Sequence, residues 1–345
     1  MKCTDREYSE DIPKRNEQYS VKKHIAVLLC MVSVVACLLS GCGGLDYGMA
    51  YDSDSDISSF NVISRQDTRT AASFASGLCV VNDNVVDDEN VDMSQAEAAL
   101  LLSLNDRQVI YSKNAHEVLY PASLTKVMTA LVALRYGRLD QMLTATSAVN
   151  ITEAGATLCG LKAGDTMTMD QALRILLVYS ANDVANLIAE GVAGSVDRFV
   201  EMMNEEARRL GATNTNFANP HGLTDPNHYT TAYDLYLIFN EAIKFETFNE
   251  IIQMTGYQTT YYDADGKAKE FNKSTTNQFL KGNYQPPSNV NIIGGKTGTT
   301  NAAGCCLVLL SRDVSGNPYI SVILRAASGA DLYTAMTDLL DEIHK

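Results

Sequence analysis

The sequence predicts an α/β protein of the α+β kind: a mostly antiparallel sheet flanked by helices, with a helical lobe inserted into it. Three observations predict it. Apolar runs at 98–104 and 108–112 flank Asn105-Asp106 and read as a hairpin. A second pair, 305–312 and 319–326, is joined at Ser315-Gly316-Asn317 near the other end of the chain. Between the pairs, apolar residues recur at helical spacing. Strands at both ends with helices between them imply one sheet assembled from both ends of the chain.

The helices follow in order. Pro121 opens the first, at 123–136, where Leu124, Val127, Met128 and Leu131 share a face. Segments 171–179 and 183–193 are helical in period, with Ser180-Ala181-Asn182 at the break between them. Helices at 196–210 and 231–245 flank a loop containing Asn219-Pro220-His221-Gly222, residues 256–292 read as short strands and turns, and 329–343 is a closing helix.

The chain has 345 residues, 46% hydrophobic and 20% charged, enough for one sizeable domain with appendages. Its net charge of −14 leaves no basic stripe for a phosphate backbone, which argues against nucleic acid as a partner. None of the eight cysteines forms Cys-x-x-Cys, and the five histidines include no His-Glu-x-x-His, so no metal is expected. Adjacent Cys305 and Cys306 on a strand point to opposite faces, which disfavours a disulfide between them.

Three segments are expected. Residues 1–42 form a leader: Lys22-Lys23 precede an uncharged run over 25–39, and Leu39-Ser40-Gly41-Cys42 resembles a bacterial lipoprotein signal in which Cys42 is lipidated. The uncharged run continues to Leu45, so an uncleaved membrane-spanning helix is the alternative. Both readings put the domain outside the cytoplasmic membrane. Residues 43–92 read as an acidic flexible spacer, with ten acidic residues from Asp46 to Asp92 against Arg65 and Arg69. Order is expected from Met93, giving a catalytic domain over 93–345.

The chemistry is carried by three motifs. Ser123-Leu124-Thr125-Lys126 places a hydroxyl and an amine one helical turn apart, and an unprotonated lysine can take the serine's proton. Alone the pattern is weak, since Ser20 and Lys23 repeat it in a polar stretch. Ser180-Ala181-Asn182 is equally cheap alone; its place between two apolar helices sets it apart. Lys296-Thr297-Gly298 occurs once, and its bland reading is a glycine-rich turn before a strand. The ordered triple is what carries weight, and it is the set of penicillin-binding proteins and class A β-lactamases.

Closer reading resembles one branch, the low-molecular-mass D-alanyl-D-alanine carboxypeptidases. PASLTKVMTA at 121–130, YSANDVA at 179–185, His221-Gly222-Leu223 with YTTAYDL at 229–235, and GKTGTT at 295–300 carry the likeness. The resemblance implies the β-lactamase/transpeptidase-like sandwich, and a Ser123 acyl-enzyme that removes the terminal D-alanine of peptidoglycan stem peptides. It implies Lys126 as base, Ser180 with Lys296 as a proton relay, and Asn182 on the substrate backbone. It also implies an oxyanion hole from the Ser123 and Thr299 amides, with Thr297 and Gly298 along the substrate. No cofactor is implied, and β-lactams would acylate the same serine.

Some relatives carry an arginine where Thr276 falls here, which leaves the carboxylate clamp open; Arg325 is a candidate substitute, with a solvated strand-end arginine as its bland reading. The family's further β-rich domain and C-terminal anchor find no counterpart after the closing helix, so anchoring is expected from the N-terminal lipid or helix. His221 is set aside as structural, because no Gly-x-Ser-x-Gly elbow is present. The rival readings are a class A β-lactamase, which needs a deacylating glutamate that 214–227 lacks, and a non-catalytic β-lactam or cell-wall binding protein.

The anchor reading has a direct test. Cys42→Ala is expected to block processing, and an intact Met1 on the membrane-bound protein selects the spanning helix instead.

Overall fold

A computed structural model of the chain describes residues 77–86 and 91–344. The leader with Cys42 and most of the spacer lie outside the described residues. Five antiparallel strands form the main sheet in the order β2-β1-β9-β8-β7. They are β1 (Ala96–Ser103), β2 (Gln108–Lys113), β7 (Val290–Thr300), β8 (Gly304–Asp313) and β9 (Pro318–Ala326). Early and late strands meet where β1 pairs with β9, Leu100 standing opposite Val322.

The inner strands read as continuous apolar runs because both sheet faces are covered. Leu100, Leu102, Val308, Val322 and Leu324 point into the larger core under the helical lobe. Their alternates Leu101, Leu307, Leu309 and Ile323 pack under the closing helix with Leu332, Met336 and Leu339. Cys306 belongs to the first core and Cys305 packs against the second, so the neighbours do face opposite ways. Both are free thiols.

The lobe is built from α1 (Thr125–Tyr136), α2 (Met169–Arg174), α3 (Asn182–Ala193), α4 (Val196–Arg209), α5 (Ala232–Ala242) and α6 (Glu246–Ile252), and α7 (Gly329–Asp341) closes the chain. A second antiparallel sheet, ordered β3-β4-β5-β6, joins β3 (Met142–Thr144), β4 (Thr166–Thr168), β5 (Gly256–Tyr262) and β6 (Ala268–Ser274). Among the described residues no helix is long and apolar enough to cross a membrane.

Two local departures from the sequence reading shape the site. The helix expected at 171–179 ends its α-helical part at Arg174 and continues as one π-type turn, Ile175–Tyr179. Ser180 then adopts the left-handed conformation at φ 73°. Secondly, Lys296-Thr297-Gly298 lies inside the edge strand β7, not in a turn before a strand.

Packing also begins earlier than Met93. Residues 77–86 run along the domain as a strap. The Cys79 amide donates to Tyr236 Oη (2.9 Å), and Tyr233 Oη donates to the Cys79 carbonyl (3.0 Å). Val85 exchanges backbone hydrogen bonds with Ser112 on β2. Cys79 and Val81 are buried in the larger core. The strap therefore ties α5 to the first hairpin.

Candidate active site

The nucleophile candidate sits at a deformed helix start. Ala122–Leu124 forms a 3-10 turn leading into α1, and Ala122 is held at φ 47°, a left-handed conformation that costs a non-glycine residue about 1–3 kcal/mol. Its carbonyl is fixed by a short relay. His228 Nδ1 accepts from the Ala218 amide (3.1 Å), so Nε2 carries the proton and donates to Thr125 Oγ1 (2.7 Å), which donates to Ala122 O (2.8 Å). Burial holds His228 down to about 4, so it stays neutral at working pH and the relay keeps its direction.

Two glycines let other elements close on this turn. Gly222 stands at φ 88°, and an added Cβ would fall 1.9 Å from the Ala122 carbonyl oxygen. At Gly298 an added Cβ would lie 2.9 Å from the Ser123 nitrogen. Only hydrogen at these positions allows the His221 loop and strand β7 to reach Ser123.

Lys126 is fully buried one turn below Ser123. Its Nζ lies 2.9 Å from Ser123 Oγ, 2.6 Å from Asn182 Oδ1 and 2.5 Å from the His221 carbonyl oxygen. Its pKa falls well below the ordinary lysine value, first through burial and then through the charge of Lys296, with Asp183 opposing. A neutral amine has two hydrogens and one lone pair. Asn182 Oδ1 and His221 O can only accept, so they take both hydrogens. The lone pair is left facing the Ser123 hydroxyl.

Lys296 forms the second polar centre. Its Nζ donates to Ser180 Oγ (2.9 Å) and to the Thr297 carbonyl (2.8 Å), and burial lowers its pKa to about 7. Ser180 reaches it from the left-handed turn after the π segment. Asn182 is steadied through its own amide, which donates to Thr157 O (2.8 Å). Buried Asp183 accepts from the amides of Cys159, Gly160 and Leu161, and so holds the loop that carries Thr157.

These residues border a cleft of about 560 Å³. Ser123, Ser180, Thr157, Thr297, Gly298 and Thr299 line one part, with Lys126 and Lys296 beneath. Thr276 meets Thr297 there, hydroxyl to hydroxyl at 2.5 Å. No acidic or basic side chain lines the cleft among the described residues. Arg325 is elsewhere: it is exposed at the end of β9 and lines separate grooves, one with Tyr120 and Tyr229. It follows the bland reading and does not replace a carboxylate clamp in this cleft.

The structure thus brings together every expected site residue except Cys42, which lies outside the described residues. It adds His221, through its carbonyl, and Thr125, His228, Asp183, Thr157 and Thr276. YTTAYDL begins one residue after His228, so the sequence marks the segment, but nothing in a lone histidine signals a relay to Thr125.

The sequence profile of the D-alanyl-D-alanine carboxypeptidases, peptidase family S11, matches residues 85–328. The chain belongs to this family. Its relatives include the D-alanyl-D-alanine carboxypeptidase DacF of Bacillus subtilis, 33% identical over 251 residues that cover 72% of this chain and 61% of that protein. DacC of Escherichia coli, another D-alanyl-D-alanine carboxypeptidase, is 34% identical over 240 residues, covering 67% and 56%. The chain therefore spans 61% and 56% of the length of these two relatives. Among solved structures, the Streptomyces K15 DD-transpeptidase superposes with a TM-score of 0.66 at 27% identity, over 72% of this chain and 96% of that one. The fold is that of the DD-transpeptidases, as the motif triple implied.

The geometry makes a sharp demand on Lys126. Lys126→Arg replaces the neutral amine with a guanidinium that cannot lose its proton, so acylation by penicillin is expected to fall by about 10²–10⁴-fold. Near wild-type acylation of that variant would remove Lys126 as the base.

Proposed function

We propose that this protein is a serine-type D-Ala-D-Ala carboxypeptidase acting on peptidoglycan stem peptides. The observation that carries the reading is the buried Lys126 Nζ, 2.9 Å from Ser123 Oγ and held by two groups that can only accept, Asn182 Oδ1 and the His221 carbonyl, so that a neutral amine turns its lone pair to Ser123. Ser123 Oγ attacks the carbonyl between two D-alanines as Lys126 takes its proton. The amides of Ser123 and Thr299 receive the oxyanion: Ser123 is at a helix start and Thr299 on an edge strand, both places where backbone N–H groups are available. Ser180, hydrogen-bonded to Lys296, passes a proton to the leaving amine. Asn182 binds the substrate backbone, and Thr297, paired with Thr276, receives the terminal carboxylate beside Gly298. Water then hydrolyses the Ser123 ester.

On this reading β-lactams acylate Ser123 as well. The protein works outside the cytoplasmic membrane of a bacterium, with the leader over 1–42 as lipid anchor at Cys42 or as spanning helix. The acidic segment from 43 to the strap spaces the domain from the membrane. The cleft lining disfavours the β-lactamase alternative, because among the described residues it holds no carboxylate to activate water beside a bulky penicilloyl ester.

A paired assay on one preparation tests the assignment. Penicillin is expected to stay bound for minutes or longer by intact mass, while D-alanine is released from a diacyl-Lys-D-Ala-D-Ala peptide; Ser123→Ala stops both. Rapid penicillin turnover with no D-alanine would overturn it.

A further inference from the structure

Strand β9 carries an extra residue near its end. Cys305 on β8 stands opposite Ala326, whereas Leu307, two residues on, stands opposite Ile323, three residues back. The bulge holds Arg325 at φ 54°, a left-handed conformation that suits glycine and strains other residues. The Arg325 amide donates to Cys306 Sγ (3.5 Å), and the side chain is exposed. Among the described residues no carboxylate pairs with its guanidinium. A glycine would make the same bulge without strain, so the fold does not require an arginine there.

The side chain borders a groove of about 200 Å³, separate from the reaction cleft, with Tyr120, Pro226, Tyr229 and Ala302 in its walls. The chain fixes where this groove lies. Tyr120 precedes Ser123 by three residues, and Leu119 exchanges backbone hydrogen bonds with Thr230, the neighbour of Tyr229. Ala302 follows Gly298 by four residues, and Gly298 lies against the Ser123 amide. At about 3.3 Å per residue, the groove begins within about 13 Å of the nucleophile. No acidic side chain lines it among the described residues, so its one charge is positive. A second groove, on the other side of Arg325, holds Glu97 and Lys113. There the Lys113 ammonium is already committed to the carbonyls of Met93 and Ala96, at 2.8 Å each.

We propose that this groove is an anion subsite, in which Arg325 pairs with a free carboxylate carried two residues upstream of the D-alanine whose carbonyl is attacked. The proposal rests on the Ser123 acyl-transfer reading. That reading puts the terminal carboxylate at Thr297 and the oxyanion at Thr299, so the upstream residues run past Thr300 toward Ala302. The lengths agree. Two extended residues span about 7 Å, and an acidic residue joined through its side chain holds its main-chain carboxylate about 5 Å further on. The sum, about 12 Å, matches the distance to the groove. Arginine presents a planar fork that such a carboxylate can take with two hydrogen bonds. The faces of Tyr120 and Tyr229 flank the methylene arm that carries it.

The experiment compares D-alanine release by the full chain from two peptides. One is acetyl-L-Ala-γ-D-Glu-L-Lys-D-Ala-D-Ala; the other carries a carboxamide in place of the free carboxylate of the γ-linked residue. Wild-type protein is expected to favour the acid about three- to tenfold in kcat/KM, through KM, with a preference that shrinks as salt is added. Arg325→Gly removes the side chain and relaxes the bulge, and is expected to bring the ratio of the two peptides close to one. Arg325→Lys, which keeps the charge without the fork, is expected to retain part of the preference. Penicillin acylation of each variant reports that the fold and the Ser123 turn are intact. Equal kcat/KM for the two peptides in the wild type overturns the subsite and leaves Arg325 a solvated strand-end residue. A preference that survives Arg325→Gly overturns its assignment to Arg325. Failure of both peptides and of acylation in the wild type removes the underlying reading as well.

Discussion

Lys126 carries an amine into a place from which water is excluded, and the elements around it are arranged to receive it there. An isolated ammonium in such a position costs several kcal/mol, so the group favours its neutral form. Neutrality alone would not make a base. The partners decide where the lone pair goes, and two of the three are carbonyl oxygens that can only accept. The lobe supplies Asn182 from the start of α3, and the 219–223 loop supplies the His221 carbonyl. Lys296, buried on β7, adds the charge that pushes the amine further down. Sheet and lobe therefore both contribute to one proton-transfer geometry.

The backbone around this centre is held in conformations that most residues avoid. Ala122 stands left-handed immediately before Ser123, and Ser180 does so immediately after a π-type turn. Such positions persist only where surrounding contacts over-determine them. At Ala122 the determinants are the His228–Thr125 relay and the close approach of Gly222. At Ser180 they are the π turn and the hydrogen bond from Lys296. The strain is located where two hydroxyls must be presented to a substrate.

Much of this was legible in the sequence because the side chains that do the chemistry are few in type and locally spaced. Ser123 and Lys126 belong to one helical turn, Ser180 and Asn182 to one break, and Lys296 to one strand. The larger strands were legible through their apolar runs. What escaped works through groups that carry no sequence mark. His221 contributes its carbonyl, which every residue has. His228 and Thr125 are 103 residues apart, and Thr276 and Thr297 are 21 apart, so neither pairing follows from local period. The strap over 77–86 is held through its backbone groups, and its apolar residues, Leu78 to Val81 and Val85-Val86, are split by Asn82-Asp83-Asn84 into runs too short to show a period. Strands β3 and β4 have three residues each, too short to show an alternation.

The protonation state of Lys126 can be observed directly. Nitrogen-15 NMR of the lysine Nζ groups, with the Lys126 signal identified by its loss in Lys126→Arg, gives the titration of that one amine. A neutral amine at pH 7, titrating well below the ~10.4 of a free lysine, is the predicted result. An ammonium that persists to the ordinary lysine range would contradict the account, because the lone pair facing Ser123 would not exist at working pH.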